Sequence, residues 1–327
     1  ESVLESSPDR VAAPFPHYGT FGGCALQHLA PAAQIAFKQA QLLENLARLG
    51  GVEPARVLPP LTGPVWHYRR RARLGIKHVT RKGRVLVGFR ERAAPYVADL
   101  HECRTLAPPL DRLMDPVAGL VAGLSISTRV PQAELAAADD GAAVVLRVLD
   151  APSAMDRDRL RQFERTQGVR IYLQPGGPDS VVPLAGDSLP LSYSLPEFDL
   201  AIQFEPTDFI QVNGPMNVTM VTRAVEHLDP QPGDHVLDLF CGLGNFSLPL
   251  ARRASHVTGV EGEAGLVARA ASNACRAGLE NVNFVTANLA ATDYETPWAR
   301  RTYARVLLDP PRAGAREVLP VVGRCGA

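Results

Sequence analysis

The sequence predicts an α/β protein whose C-terminal part is a doubly wound, mostly parallel sheet, preceded by a mixed α/β region. Three observations carry this. From about residue 201 onward, short continuous apolar runs alternate with helical periodicities, the mark of strands buried on both faces by crossover helices. One such run, Val236-Leu237-Asp238-Leu239, enters the turn Phe240-Cys241-Gly242-Leu243-Gly244 and then a helical pattern. The later runs are followed by polar residues, Glu261, Asn288 and Asp309.

Composition bounds the rest. At 327 residues the chain can hold two domains with cores of their own. Lys+Arg and Asp+Glu balance at 34 each, so net charge advertises no nucleic-acid partner, and any such argument rests on where the charge sits. No apolar run reaches the ~18–20 residues of a membrane span, and residues 1–10 lack the layout of a secretion signal. No membrane or protein partner is evident, and a cytoplasmic location is expected. The five cysteines (Cys24, Cys103, Cys241, Cys275 and Cys325) are odd in number and scattered, which argues against a secreted disulfide framework.

The elements follow in order. Residues 1–30 are rich in Pro, Gly and aromatics and read as a loop segment. Residues 31–49 are helical, with Ile35, Leu42, Leu46 and Leu49 on one face and Gly50-Gly51 as the stop. In the central region, strands are expected at 68–76 and 84–89 around the turn Arg81-Lys82-Gly83. Further strands fall at 142–149 and 169–173, with a helix at 155–167 between them. Residues 209–213 read as extended, and a helix carrying Met220, Val221, Ala224, Val225 and Leu228 is broken by Pro230-Gln231-Pro232-Gly233. Strands follow at 235–240, 256–261, 282–286 and 305–309. The expected organisation is a cysteine-bearing loop (1–30), a helix and connector (31–65), a central α/β domain (66–200) and a second α/β domain (201–327).

In the turn after the first strand of that last domain, Gly242 and Gly244 let the backbone approach a ligand closely. A third glycine, typical of dinucleotide sites, is replaced by Ser247, which favours a cofactor without a pyrophosphate. Glu261, at the next strand end, suits a ribose, whose two hydroxyls a carboxylate can accept. With Asn288 and Asp309 these groups fall at the carboxyl edge of a parallel sheet, where open α/β folds bind ligands.

Together, Phe209-Ile210-Gln211-Val212-Asn213, Asp238 to Asn245, Gly259-Val260-Glu261 and Asp309-Pro310-Pro311-Arg312-Ala313-Gly314 resemble the bacterial RNA (uracil-5-)-methyltransferases, most closely those acting on 23S rRNA. The resemblance implies a Rossmann-like methyltransferase domain that binds S-adenosylmethionine through Gln211, Phe240, Asn245, Glu261, Asn288 and Asp309. It implies an RNA-binding central domain and 23S rRNA as partner. It also implies a [4Fe–4S] cluster on four cysteines. Here Cys24 and Cys103 match two of those positions, while Phe15 and Phe21 stand at the other two. Phenylalanine offers no lone pair, so the expected cluster is in doubt for this chain.

A basic stretch fits the implied RNA. Between Trp66 and Arg92 there are ten Lys or Arg and one acid, Glu91. Arg69, Arg71 and Arg73 alternate with Tyr68, Arg70, Ala72 and Leu74, giving a cationic strand face suited to phosphates; Arg69, Arg70, Arg71 and Arg73 are the candidate contacts. The alternative is an edge strand guarded by charge.

Uracil C5 is a poor nucleophile. In the resembled family a cysteine thiolate adds at C6, making C5 enolate-like, and a base later removes the C5 proton. By that pattern the cysteine and a Glu base lie downstream of the Asp-Pro-Pro-Arg segment and are expected after Ala327. No catalytic residue is therefore assigned within the chain, and the chain alone is expected to be inactive. Cys325 does not match the nucleophile motif, Cys241 reads as packing, and His235 and His256 fall at the wrong strand ends. Two further readings stand: another RNA base methyltransferase (tRNA 5-methyluridine or RNA 5-methylcytosine), and a non-catalytic RNA- or cofactor-binding protein.

Overall fold

The computed structural model describes residues 3–186, 190–291 and 295–324. Two compact units emerge: residues 1–137 with 142–187, and residues 138–141 with 188–327.

The first unit opens with a loop segment and helix α1 (Pro31–Arg48), which starts on a proline, the residue whose missing N–H costs nothing at a helix start. Strands β1 (Arg71–Val79) and β2 (Arg84–Gly88) form a hairpin. Helix α2 (Met114–Ala122), strands β3 (Gln132–Ala137) and β4 (Ala142–Arg147), helix α3 (Ala154–Gln167), and strands β5 (Arg170–Gln174) and β6 (Val182–Pro183) follow. The sheet order is β2-β1-β3-β4-β5-β6, antiparallel except for the β4–β5 pair that α3 bridges. The expected hairpin strand sits three residues later than its pattern placed it, and β1 lies between β2 and β3. An interior strand cannot be the charge-guarded edge of the alternative reading.

Capping is explicit at α3. Ser153 and Asp156 form a reciprocal capping box. Burial alone raises the Asp156 carboxyl, but hydrogen bonds from the Ser125 and Ser153 backbone and hydroxyl groups prevail and hold it down to about 2.

The second unit carries the hairpin β7 (Leu191–Leu195) and β8 (Leu200–Phe204), which was not anticipated from the sequence; the residues of β7 were expected to belong to the central region. Then come α4 (Gly214–Leu228), β9 (His235–Leu239), α5 (Ser247–Ala251), β10 (His256–Glu261), α6 (Ala264–Arg276), β11 (Val282–Thr286), α7 (Pro297–Arg300), β12 (Arg305–Leu308) and α8 (Leu319–Arg324). The four parallel strands run β11-β10-β9-β12. β9 and β10 are buried through their middles, which is why they read as unbroken apolar runs. Residues 209–212 form no strand; they are an irregular loop leading into α4. No described helix is long and apolar enough to cross a membrane.

Candidate cofactor site

The chain leaves β9 toward β10 and β11 on one side, then returns to β12 on the other. That reversal makes the carboxyl ends of β9 and β12 a topological switch point, where open sheets leave a crevice for ligands. Leu239 pairs with both Val260 and Leu308. The next residues along the three strands are therefore Phe240, Glu261 and Asp309, at one edge.

The turn after β9 departs from ordinary backbone geometry. Phe240 has φ +64°, Gly242 +54° and Gly244 +87°. Phe240 is a non-glycine residue held in a left-handed conformation, which concentrates at functional sites when the surroundings enforce it. Here the enforcement is visible: the Phe240 and Cys241 N–H groups both donate to the Val260 carbonyl, at 2.9 and 3.1 Å. At Gly242 a Cβ would meet nothing within 4 Å, whereas at Gly244 it would sit 3.0 Å from Leu248. The two glycines thus do different work. Gly244 is needed for the entry into α5, and Gly242 keeps the backbone bare toward open space.

Glu261 organises that space. Its carboxylate accepts from the Gly242 N–H (3.1 Å), the Gly262 N–H (2.7 Å) and the Glu263 N–H (3.2 Å). A carboxylate has about four acceptor positions, so one remains for a ligand hydroxyl. Asp309 stands exposed past β12, with its carboxyl raised by partial desolvation. Beneath the turn, Asp238 is fully buried. Ser247 Oγ donates to its Oδ2 at 2.5 Å, and its Oδ1 has no partner. Desolvation pushes its carboxyl up to about 7 against the Ser247 hydrogen bond, helped by the negative charges of Asp309 and Glu261. The carboxyls of Glu261 and Asp309, both of which act on Asp238, make a rim that favours a cationic ligand.

The other expected contacts fall around this rim in different states. Asn245 lies in the turn, but its carboxamide is engaged: it donates to Asn217 Oδ1 and accepts from Asn217 Nδ2 and the Tyr193 hydroxyl, each at 2.9 Å. Asn288 is exposed after β11 and caps its own turn by accepting from the Ala290 N–H at 3.0 Å. Gln211 is half-buried in the loop before α4. That loop is anchored by Asp208, which accepts from the Glu205 N–H at 2.7 Å and pairs with Arg269 of α6. Sequence reasoning missed Tyr193, Asn217, Asp208 and Arg269. For Asn217 a signal existed: it shares the buried face of α4 with Val221 and Val225 at intervals of four, and a polar residue on a buried stripe needs a partner.

The described cysteines do not offer a nucleophile. Cys241 is buried beside the turn, and burial, reinforced by Asp238 and Glu261, drives its thiol far above the usual range. Cys275 is exposed near the end of α6, toward the amino end of β11. Cys325 and Ala327 both lie outside the described residues, which end at Arg324, so the expectation of a cysteine nucleophile and a Glu base after Ala327 is untouched by this geometry. His235 and His256, at the starts of β9 and β10, lie with ring centroids 5.7 Å apart and planes tilted by 39°, on the opposite edge from the rim.

On the basic strand of the first unit, Ala72, Leu74 and Ile76 point into the core. Arg71 and Arg73 converge on buried Glu134, at 3.0 and 2.9 Å; the Arg71 side chain is 16% exposed and that of Arg73 70%. Arg69 Nε donates to the Arg71 carbonyl at 2.9 Å. Lys82 and Arg84 pair with Asp99. The cationic face is therefore partly neutralised, with Arg73 and Lys77 its exposed members along β1.

The residues do not fit an iron–sulfur cluster. Phe15, Phe21, Cys24 and Cys103 share one buried core, and no group of three or more metal-capable side chains occurs among the described residues.

The tRNA (uracil-5-)-methyltransferase family model matches residues 144–323. The 23S rRNA (uracil(1939)-C(5))-methyltransferase RlmD of Methylococcus capsulatus is 50% identical over 98% of this chain and 72% of that protein. The RlmD of Alkalilimnicola ehrlichii is 49% identical over 99% and 73%. Among solved structures, the Pyrococcus abyssi tRNA (uracil-54, C5)-methyltransferase with S-adenosyl-L-homocysteine superposes with a TM-score of 0.71 at 21% identity, covering 99% of this chain and 76% of that one. That likeness concerns the fold.

Proposed function

Since the chain belongs to the tRNA (uracil-5-)-methyltransferase family, we propose that it methylates C5 of a uridine in 23S ribosomal RNA, with S-adenosylmethionine as donor. The observation that carries this reading is the rim at the switch point. Glu261 and Asp309 flank a glycine turn with a bare backbone, and both act electrostatically on buried Asp238. S-adenosylmethionine supplies an electrophilic methyl on a sulfonium cation, the kind of charge such a rim favours.

In this reading Glu261 accepts a ribose hydroxyl with its remaining lone pair while holding Gly242 in place. Phe240, packed on the core of the second unit, presents its ring to the cofactor. Asp309 and Gln211 line the side where the methyl and the base meet, and Asn288 closes the rim beyond β11. The role of Asn245 is to brace the turn through Asn217 and Tyr193, with one amide N–H left for the ligand. Gly242 and Gly244 give the approach.

Methyl transfer to C5 then requires a thiolate at C6 and a base for the C5 proton. None of the described cysteines suits the first role, and the family pattern assigns both groups to sequence after Ala327. RNA is held by the cations of the first unit, Arg69, Arg70, Arg71 and Arg73, of which Arg73 is the exposed one, with exposed Lys77 beside it. The work would be done where ribosomal RNA is made, in the cytoplasm.

Deleting the gene and digesting 23S rRNA and tRNA separately for mass spectrometry tests this. The expected result is loss of one 5-methyluridine from 23S rRNA, restored by complementation. An unchanged 23S rRNA, or loss confined to tRNA, overturns the proposed substrate.

A further inference from the structure

We propose that an aromatic plug replaces the iron–sulfur cluster in this chain: Phe15 and Phe21 close the space beside Cys24 and Cys103, and they tie the N-terminal segment to the sheet of the first unit without metal. All four side chains are buried, at 1%, 3%, 5% and 0% exposure, in one continuous core with Leu74, Val87 and Leu100. The rings are ordered against one another. Phe15 meets Phe21 edge-on at 6.5 Å, and Phe21 stacks on Phe89, just past β2, at 5.0 Å with an interplanar angle of 8°. Both arrangements are favoured by the ring quadrupole. The Phe21 ring lies so close to Gly23 that a Cβ there would stand 2.7 Å from it. The backbone follows the rings: Phe21 bridges Glu91, and the Arg92 N–H donates to the Thr20 carbonyl at 3.0 Å.

The two thiols are placed as packing groups. Cys103 Sγ exchanges a hydrogen bond with Thr105 Oγ1 at 3.0 Å. Metal ligation needs thiolates, and a four-iron cluster is ordinarily held by four of them. Here two corners carry rings that cannot ligate, and the rings fill the volume a cluster needs. Interiors packed to the density of organic crystals leave no such volume vacant. The consequence is a protein indifferent to iron supply and to oxygen.

The test begins with the protein purified without air and then incubated with ferrous iron, sulfide and thiol. The expected result is no retained iron or acid-labile sulfide, no broad visible absorption, and the same melting temperature in air as under nitrogen. Retention of about four irons per chain overturns the proposal. The Phe15→Cys/Phe21→Cys double variant, treated identically, should retain iron and sulfide and gain the visible absorption. If it folds, as judged by its circular dichroism, and stays colourless, the four positions do not share one site and the proposal fails. A third measurement reads the anchoring. Phe21→Ala should speed limited proteolysis within residues 8–30 by about tenfold or more, in line with the loss of a buried aromatic anchor, and unchanged protection would contradict the tie. None of these outcomes depends on the cofactor site, so that reading stands or falls separately.

Discussion

Replacing Glu261 by glutamine probes the carboxylate around which the glycine turn is built. Glu261 accepts three backbone N–H groups, from Gly242, Gly262 and Glu263. Glutamine keeps the shape but turns one acceptor oxygen into a donor. The better orientation keeps oxygen toward Gly262 and Glu263 and sets the amide NH2 against the Gly242 N–H, donor facing donor. A charge-assisted hydrogen bond contributes about 1.5–3 kcal/mol. Losing one at the turn, with the ionised acceptor for the ribose gone as well, weakens cofactor binding by about 10- to 150-fold. The free protein suffers less, because these N–H groups reach solvent at the rim; its melting temperature should drop by only about 2–4 °C. Titration calorimetry with S-adenosylhomocysteine reads the first number and a thermal melt the second. A dissociation constant within about twofold of the wild type, far short of one lost charge-assisted bond, would refute the placement of the ribose at the end of β10.

The glycine turn separates binding from stability. Gly242→Ala, with open space around its Cβ but a φ of +54°, should lose cofactor affinity with a small cost in melting temperature. Gly244→Ala meets Leu248 at 3.0 Å and should lose stability first; the reverse ranking by calorimetry and melting would contradict the division of labour. Asp238 links stability to pH. Its carboxyl titrates near 4 when unfolded and about 7 in the fold, so the native state holds the extra proton between those values. Stability is then fullest below about pH 4 and falls as pH rises to about 7. Asp238→Asn should flatten this slope in urea unfolding from about pH 4.5 to 7.5, and an unaltered slope would exclude Asp238 as its source. On the RNA side, Arg73→Gln with Lys77→Gln should lower affinity for an rRNA fragment and reduce the logarithmic salt dependence by about 1–2 in slope. A change in affinity with no change in slope would argue against phosphate contact.

Several parts of this protein were legible from residue order because their causes are local. Buried parallel strands read as apolar runs whatever surrounds them, so β9 and β10 stood within a residue of their expected bounds, and the partly exposed edge strand β11 fell at its expected bounds as well. A backbone turning through positive φ beside open space demands glycine, so Gly242 was visible as a place of approach. β7, β8 and β3 were not anticipated as strands. The first two belong to a hairpin in a Pro- and Ser-rich stretch, and β3 (Gln-Ala-Glu-Leu-Ala-Ala) has a composition equally at home in a helix.

By itself, then, the sequence determined the doubly wound sheet, the order of polar groups along its carboxyl edge and the two missing cluster ligands. Tertiary structure alone decided how those groups are used. Asn245 pairs with Asn217 from 28 positions away, and Arg71 meets Glu134 from 63 away. It likewise decided that Phe21 stacks on Phe89 and that the arginine strand is interior. Periodicity specifies which face of an element is apolar, but it is silent about which distant element covers that face. Partners of a buried polar group or ring are set only when strands find their register and helices their neighbours.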